Sequence, residues 1–129
     1  MEVIYYFSRS GRSEFVANEL SKSRNAKVFK IDDHRDWSGF KGMFWGGYHA
    51  TFRIGIPIDY RKPLDDEEII LVFPVWASAL PPAVRTFCKE ISKARITAVV
   101  TSSGSLLKER KGFKKVVDLV KEDAEIVDF

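Results

Sequence analysis

Three short segments of this chain carry residue types suited to holding a ligand. Ser8-Arg9-Ser10-Gly11-Arg12-Ser13 combines three hydroxyls, a glycine and the start of a helical stretch. Unpaired N–H groups at a helix N-terminus and the helix dipole both favour an anion, so these are the parts of a phosphate cradle. Pro74-Val75-Trp76-Ala77-Ser78 and Thr101-Ser102-Ser103-Gly104 are also built of small, polar or aromatic residues, with no carboxylate among them. The pattern S-x-S-G-x-S also describes an ordinary strand-to-helix turn with a serine cap, so by itself it leaves both readings open.

Little else points to chemistry. A single cysteine excludes an internal disulfide, and His34 and His49 stand apart with no metal-ligand spacing, which suits surface or structural roles. Cys88 falls on an apolar helical stripe, where it serves as a small buried hydrophobe. No pair of groups is arranged as general acid and base, so redox chemistry would need an organic cofactor.

The elements that must position these segments alternate between strand and helix. Val3 to Phe7 is a continuous apolar run, as in a strand buried on both faces, and Glu14 to Ser21 follows as a helix with Ser13 as its expected N-cap. Lys27 to Ile31 reads as a half-buried edge strand. Trp37 to Pro57, rich in glycine and aromatics, is expected to hold a short helix and an irregular connection. Trp45, Tyr48 and Phe52 there are expected to pack on the sheet, with a lid or surface role as the alternative. Ile69 to Phe73 is a central strand. Pro81-Pro82 opens a helix whose Val84, Phe87, Cys88 and Ile91 recur at i, i+3, i+4, i+7. Ile96 to Val100 is the fourth strand, Glu109 to Glu122 the next helix, with Lys108 to Lys115 as its solvated start, and Glu125 to Phe129 a final short strand. Parallel β-α-β units with right-handed crossovers follow. In such a sheet the ligand site lies beyond the carboxyl ends of the strands, where the three segments fall.

The length of 129 residues, 45% hydrophobic and 30% charged, suits one domain over residues 1–129. A net charge of +3, with basic and acidic residues interspersed, does not indicate nucleic acid. The start, Met1-Glu2-Val3-Ile4-Tyr5-Tyr6, lacks a signal sequence's basic region, and no apolar run reaches bilayer length. A cytoplasmic protein without membrane attachment is expected. No Gln, two Asn and two Met beside many Lys and Glu is the bias of a thermophile.

Taken together, the three segments resemble the flavodoxin-like family. Ser8 to Ser13 resembles its phosphate-binding [ST]-x-[ST]-G-x-[ST] loop. Phe73 to Ala77 followed by Pro81 to Phe87 is similar to the segment carrying one wall of the flavin pocket and the next helix. Thr101 to Gly104 is similar to the loop on the other side of the ring, and Gly42 to Gly55 resembles the glycine and aromatic region of short members. The resemblance implies a three-layer, doubly wound, parallel five-stranded sheet of order 2-1-3-4-5 with flavin mononucleotide (FMN) at the switch point.

It further implies that Ser8, Ser10, Gly11, Arg12 and Ser13 hold the phosphate and that Trp76 lies against the ring, disfavouring its electron-rich reduced form. Backbone groups of Val75 to Ser78 and Thr101 to Gly104 would reach the polar edge. An electron carrier is thereby favoured over an enzyme with its own substrate, the alternative being an interaction or regulatory subunit that has lost FMN. A receiver-like phosphoacceptor on the same strand order is the least favoured reading, because it needs acidic residues after the first strand and an Asp at the end of the third, where this chain has Ser8 and Pro74-Val75-Trp76.

Arg9, Arg12 and the positive net charge depart from the family pattern and favour an acidic redox partner. Ser78 stands where the family commonly has glycine, implying a more restrained peptide beside the ring. The usual fifth helix is absent from this reading, which leaves the first-helix side of the last three strands open. That apolar face is expected to be buried in a homodimer.

Overall fold

The computed structural model describes residues 1–9, 11–34, 45, 48 and 55–120. Among these the apolar runs form five strands, β1 (Glu2–Tyr6), β2 (Lys27–Lys30), β3 (Glu68–Pro74), β4 (Ile96–Ser102) and β5 (Lys115–Val120). All are parallel, in the order β2-β1-β3-β4-β5. One row of the register runs Phe29, Tyr5, Leu71, Ala98, Val116 across the full width. Helix α1 (Arg12–Arg24) follows β1, and α2 (Pro82–Glu90) follows β3.

Alternate residues of each strand point to opposite faces, and this separates the core in two. Ile4, Ile70, Val72 and Val99 pack with Val16, Ala17 and Leu20 of α1. Val3, Tyr5, Leu71, Phe73 and Ala98 pack with Ala83, Val84 and Phe87 of α2. Tyr5 and Phe87 are fully buried with ring centroids 5.2 Å apart, and truncating Phe87 to Ala would cost about 3–5 kcal/mol. The layers and strand order are those the sequence implied, and the fold is flavodoxin-like.

Several expectations need correction. Ser13 is not the N-cap of α1. That position is Gly11, at φ +94°, and the helix begins at Arg12. Thr101 and Ser102 end β4 and are not part of a turn.

The helix expected over Glu109 to Glu122 does not form as far as Val120, the last described residue. Gly112, at φ +98°, interrupts the segment, and the valine-rich stretch from Lys115 to Val120 becomes β5. The i, i+3, i+4, i+7 spacing of Phe113, Val116, Val117 and Val120 coincided with a strand whose β-branched residues alternate. Val116 faces the α2 side, and Val117 and Leu119 face the α1 side. In place of a helix, the loop between β4 and β5 covers the sheet with Leu107, fully buried, and Phe113, whose ring centroid lies 6.5 Å from that of Phe73.

On the α1 side of the later strands, Ile70, Val72, Val99 and Leu119 are buried within the chain. Trp45 and Tyr48 are about half exposed and meet each other edge to face at 5.7 Å. Phe52, most of the Trp37 to Pro57 segment and the expected final strand at Glu125 to Phe129 lie outside the described residues. Cys88 is half-buried against the α2-side core, and burial pushes its thiol up to about 12, so it stays protonated. No helix among the described residues is long and apolar enough to cross a membrane.

Candidate functional site

The carboxyl ends of β1, β3 and β4 open onto a cavity of about 320 Å³. The first loop and the start of α1 contribute Ser8, Arg9, Arg12 and Ser13 to its lining. The end of β3 contributes Pro74, Val75 and Trp76, and the end of β4 contributes Thr101, Ser102 and Ser103. The two strand ends are held side by side, Pro74 in register with Thr101 and the Val75 N–H donating to the Thr101 carbonyl at 3.1 Å.

At one end the cavity has the makings of an anion site. The Gly11 N–H donates to the Ser8 hydroxyl at 2.9 Å, closing the loop on itself, and the first intrahelical bond runs from Phe15 N–H to the Gly11 carbonyl at 2.9 Å. The N–H groups of Arg12, Ser13 and Glu14 precede that bond and belong to the positive end of the helix dipole. Gly11 can hold φ +94° because it has no side chain, and a Cβ built there meets nothing within 4 Å, so the space beside it is open.

The side chains of Arg12 and Ser13 hold the cradle in place. The Arg12 guanidinium donates to the Ser102 carbonyl at 2.7 Å and to the Leu119 carbonyl at 3.0 Å, joining the start of α1 to the ends of β4 and β5. The buried hydroxyls of Ser13 and Thr101 share a hydrogen bond of 2.9 Å.

At the other end, Trp76 is half-buried and sets its ring against the edge of Phe7, centroids 5.5 Å apart. It opens a two-residue turn in which the Trp76 N–H donates to the Ala79 carbonyl at 3.1 Å and the Ala79 N–H to the Trp76 carbonyl at 2.8 Å. Both central residues, Ala77 and Ser78, have positive φ, +50° and +59°. That backbone is the kind glycine or asparagine prefers, so something must hold it.

What holds it is the β4–β5 loop. The Lys108 N–H donates to the Ser78 carbonyl, and Glu109 accepts from the Leu80 N–H at 3.3 Å while paired through both oxygens with Arg85 at 2.6 and 2.8 Å. Arg85 and Glu109 are both about nine-tenths buried at the side chain.

Of the expected site residues, those lining the cavity come from all three segments, and Gly11, Ala77, Ser78 and Gly104 shape or border it without lining it. Ser10 lies outside the described residues. Sequence reasoning missed Phe7, Arg85 and Glu109. Phe7 follows β1 directly and was placed in the strand run, whereas nothing in the spacing of Arg85 and Glu109, 24 residues apart, marked them as a pair.

No protein-family model matches the sequence, and no curated protein matches it at a significant level. Solved structures do match. A flavoprotein from Lactobacillus acidophilus NCFM in complex with FMN is similar over 96% of this chain and 94% of its own, with a TM-score of 0.68 at 16% identity. Two proteins provisionally named flavoproteins are similar as well. The one from Bacteroides eggerthii DSM 20697 has a TM-score of 0.71 at 16% identity over 95% of this chain and 91% of its own. The one from Bacteroides uniformis ATCC 8492 has a TM-score of 0.69 at 15% identity over 92% and 88%. At these identities the likeness is one of fold, and this chain has the flavodoxin-like fold those structures share.

Proposed function

We propose that this chain binds FMN in the cavity at the carboxyl ends of β1, β3 and β4 and works in electron transfer. The observation that carries the reading is the convergence of all three sequence segments on one cavity, with an anion cradle at one end and Trp76 at the other. The FMN complex of the similar Lactobacillus acidophilus protein supports it.

The residues present fit the group. A phosphate suits the N-terminus of α1, where Gly11 leaves room and the Arg9 side chain adds positive charge. The apolar ring suits Val75 and Trp76, and its polar edge suits the hydroxyl-rich end of β4 at Thr101 to Ser103. FMN, when bound, supplies reversible one- and two-electron chemistry. The chain's own part is to bind, orient and shield it. Among the described residues the cavity lining contains no carboxylate and no histidine, which favours a carrier over an enzyme that moves a substrate proton.

Titrating free FMN with flavin-stripped protein and following the ring's fluorescence tests the reading. Saturable quenching at one FMN per chain is expected, with affinity lowered about tenfold or more in Gly11→Val and Trp76→Ala. Undiminished emission at high protein concentration would overturn it in favour of an interaction or regulatory subunit.

A further inference from the structure

We propose that the chain carries a second ligand site, at the amino ends of β1 and β2, that takes a small aromatic carboxylic acid. The site lies at the other end of β1 from the candidate flavin cavity and does not depend on the FMN reading.

A cavity of about 440 Å³, the size of a small-molecule pocket, opens between the start of β1, the α1–β2 connection and the segment that precedes β3. Its apolar lining is Val3 and Phe29, on the α2 side of the first two strands, with Ala26 and Leu64 beside them. Phe29 is only half-buried and Leu64 is 57% exposed, so water meets apolar surface that a flat hydrocarbon ring would cover. The Arg61 guanidinium lies over the Phe29 ring, 4.6 Å from its centroid, and adds a planar group of the kind that stacks on aromatic ligands.

The wall opposite the strands is fixed before any ligand arrives. Glu67, 4% exposed at the side chain, accepts from both terminal nitrogens of Arg61 at 2.9 and 3.0 Å and from the Leu64 N–H at 2.7 Å. The Arg61 carbonyl accepts from the Tyr5 hydroxyl, and the Arg95 guanidinium donates to the Leu64 and Glu67 carbonyls at 2.7 and 3.1 Å. Residues 61–67 are thereby pinned to β1 on one side and to the start of β4 on the other, which holds the cavity open and spares a ligand the cost of ordering it.

The charges around the cavity select an anion. Glu67 is neutralised by Arg61, and Glu2 by the Arg24 guanidinium at 2.9 and 3.0 Å to its two carboxylate oxygens. The carboxyl end of α1 borders the cavity at Asn25, and Lys22 beside Arg24 in the last turn offsets the negative end of the helix dipole. Lys27, the first residue of β2, lines the cavity and is exposed, with no ion-pair partner among the described residues. One lysine beside an apolar pocket matches one carboxylate on an apolar body, and it would meet a cationic ligand with like charge.

The test titrates isotope-labelled protein at low salt with three probes of one shape, cinnamate, the neutral cinnamyl alcohol and the cationic cinnamylamine, and follows the backbone NMR signals. Saturable shifts centred on Val3, Lys27, Phe29 and Leu64 are expected, with cinnamate bound about tenfold more tightly than the alcohol and the amine bound most weakly. Lys27→Glu is expected to remove the preference for cinnamate over the alcohol, and Leu64→Asn to weaken all three probes. Both side chains are exposed, and the bonds of Leu64 to Glu67 and Arg95 are made by its backbone, so neither change touches the fold.

Equal binding of the three probes, or a preference for cinnamate that survives Lys27→Glu, overturns the proposal. So do shifts confined to the cavity at Ser8, Arg12 and Trp76, or no shifts at about 10 mM probe. FMN titration of Lys27→Glu is expected to match wild type, so the two sites stand or fall separately.

Discussion

The backbone N–H of Lys108 donates to the carbonyl of Ser78 at 2.9 Å, fastening the β4–β5 loop to the turn that presents Trp76. The bond places a loop where the sequence pattern suggested a helix. That loop also carries Glu109 into a buried, two-pronged ion pair with Arg85 at the first turn of α2. The Trp76 turn is therefore held from both its own sequence and a segment some thirty residues away.

Removing one partner of the Arg85–Glu109 pair leaves the other charge buried. Glu109→Gln or Arg85→Met is expected to destabilise the fold by about 3 kcal/mol or more. Replacing both, as Arg85→Met with Glu109→Leu, is expected to cost less than the two single changes added together. Urea unfolding followed by circular dichroism measures this. Single-variant midpoints equal to wild type would count against the clamp.

The turn itself carries backbone strain at Ala77, φ +50°. The left-handed region penalises an alanine by about 1–2 kcal/mol, and a glycine adds about 0.4–1 kcal/mol of unfolded-chain entropy. Ala77→Gly is therefore expected to raise stability by roughly 0.5–1 kcal/mol. A lower urea midpoint in this variant would show that the turn is unstrained.

How much of this was legible in the sequence depends on the range of the signal. β1, β3 and β4 announced themselves through apolar runs, and α2 through Pro81-Pro82 and its stripe, because each signal is local. The three cavity-lining segments were legible for the same reason, since hydroxyl and aromatic residues directly follow strand patterns. β5 was not, because Val116, Val117 and Val120 satisfy helical spacing and strand composition together, and only Gly112 argues for the break. The supports of the site were least legible. Arg12 reaching the Leu119 carbonyl spans 107 residues, and Ser13 reaching Thr101 spans 88, distances at which sequence spacing carries no information.

A different close approach occurs at Gly55. A Cβ added there would lie 2.9 Å from the hydroxyl of Thr86, which donates to the Ile56 carbonyl at 2.6 Å and accepts from the Ile56 N–H at 3.0 Å. The hydroxyl cannot step aside without breaking those bonds. Gly55→Ala is expected to cost about 1–3 kcal/mol, and less than that when combined with Thr86→Ala. Thermal unfolding of the two single variants and the double variant checks the coupling. Full additivity would mean the contact is not the cause.

His34 gives a pH dependence of known sign. Its Nε2 lies 2.6 Å from an Asp59 carboxylate oxygen and its Nδ1 3.5 Å from one of Asp32, and the hydrogen bond to Asp59, then the charge of Asp32, hold its pKa above the ordinary 6.5. The folded state thus binds this proton more tightly than the unfolded chain does. Its stabilisation is complete below about pH 6.5 and is lost as pH rises through the raised value. The imidazole NMR signal of His34 should titrate above 6.5 in the wild type and move back toward 6.5 in Asp59→Asn. An unchanged midpoint in that variant would remove Asp59 as the cause.

Arg12 separates two roles that a basic residue beside a phosphate cradle could have. If its charge alone mattered, Arg12→Lys would be silent, because lysine keeps the charge. Its guanidinium, however, reaches two carbonyls on different strands, Ser102 and Leu119, and a single ammonium lacks the planar fork that spans both. The expected cost is about 1–2 kcal/mol, reduced from the usual value for bonds to a charged group because the side chain is partly exposed. FMN affinity should weaken alongside it, because the start of α1 is no longer tied to the ends of β4 and β5. Urea unfolding of the apoprotein and FMN titration, measured on the same variant, decide the matter. A wild-type midpoint with weakened FMN would instead mean that Arg12 meets the ligand directly.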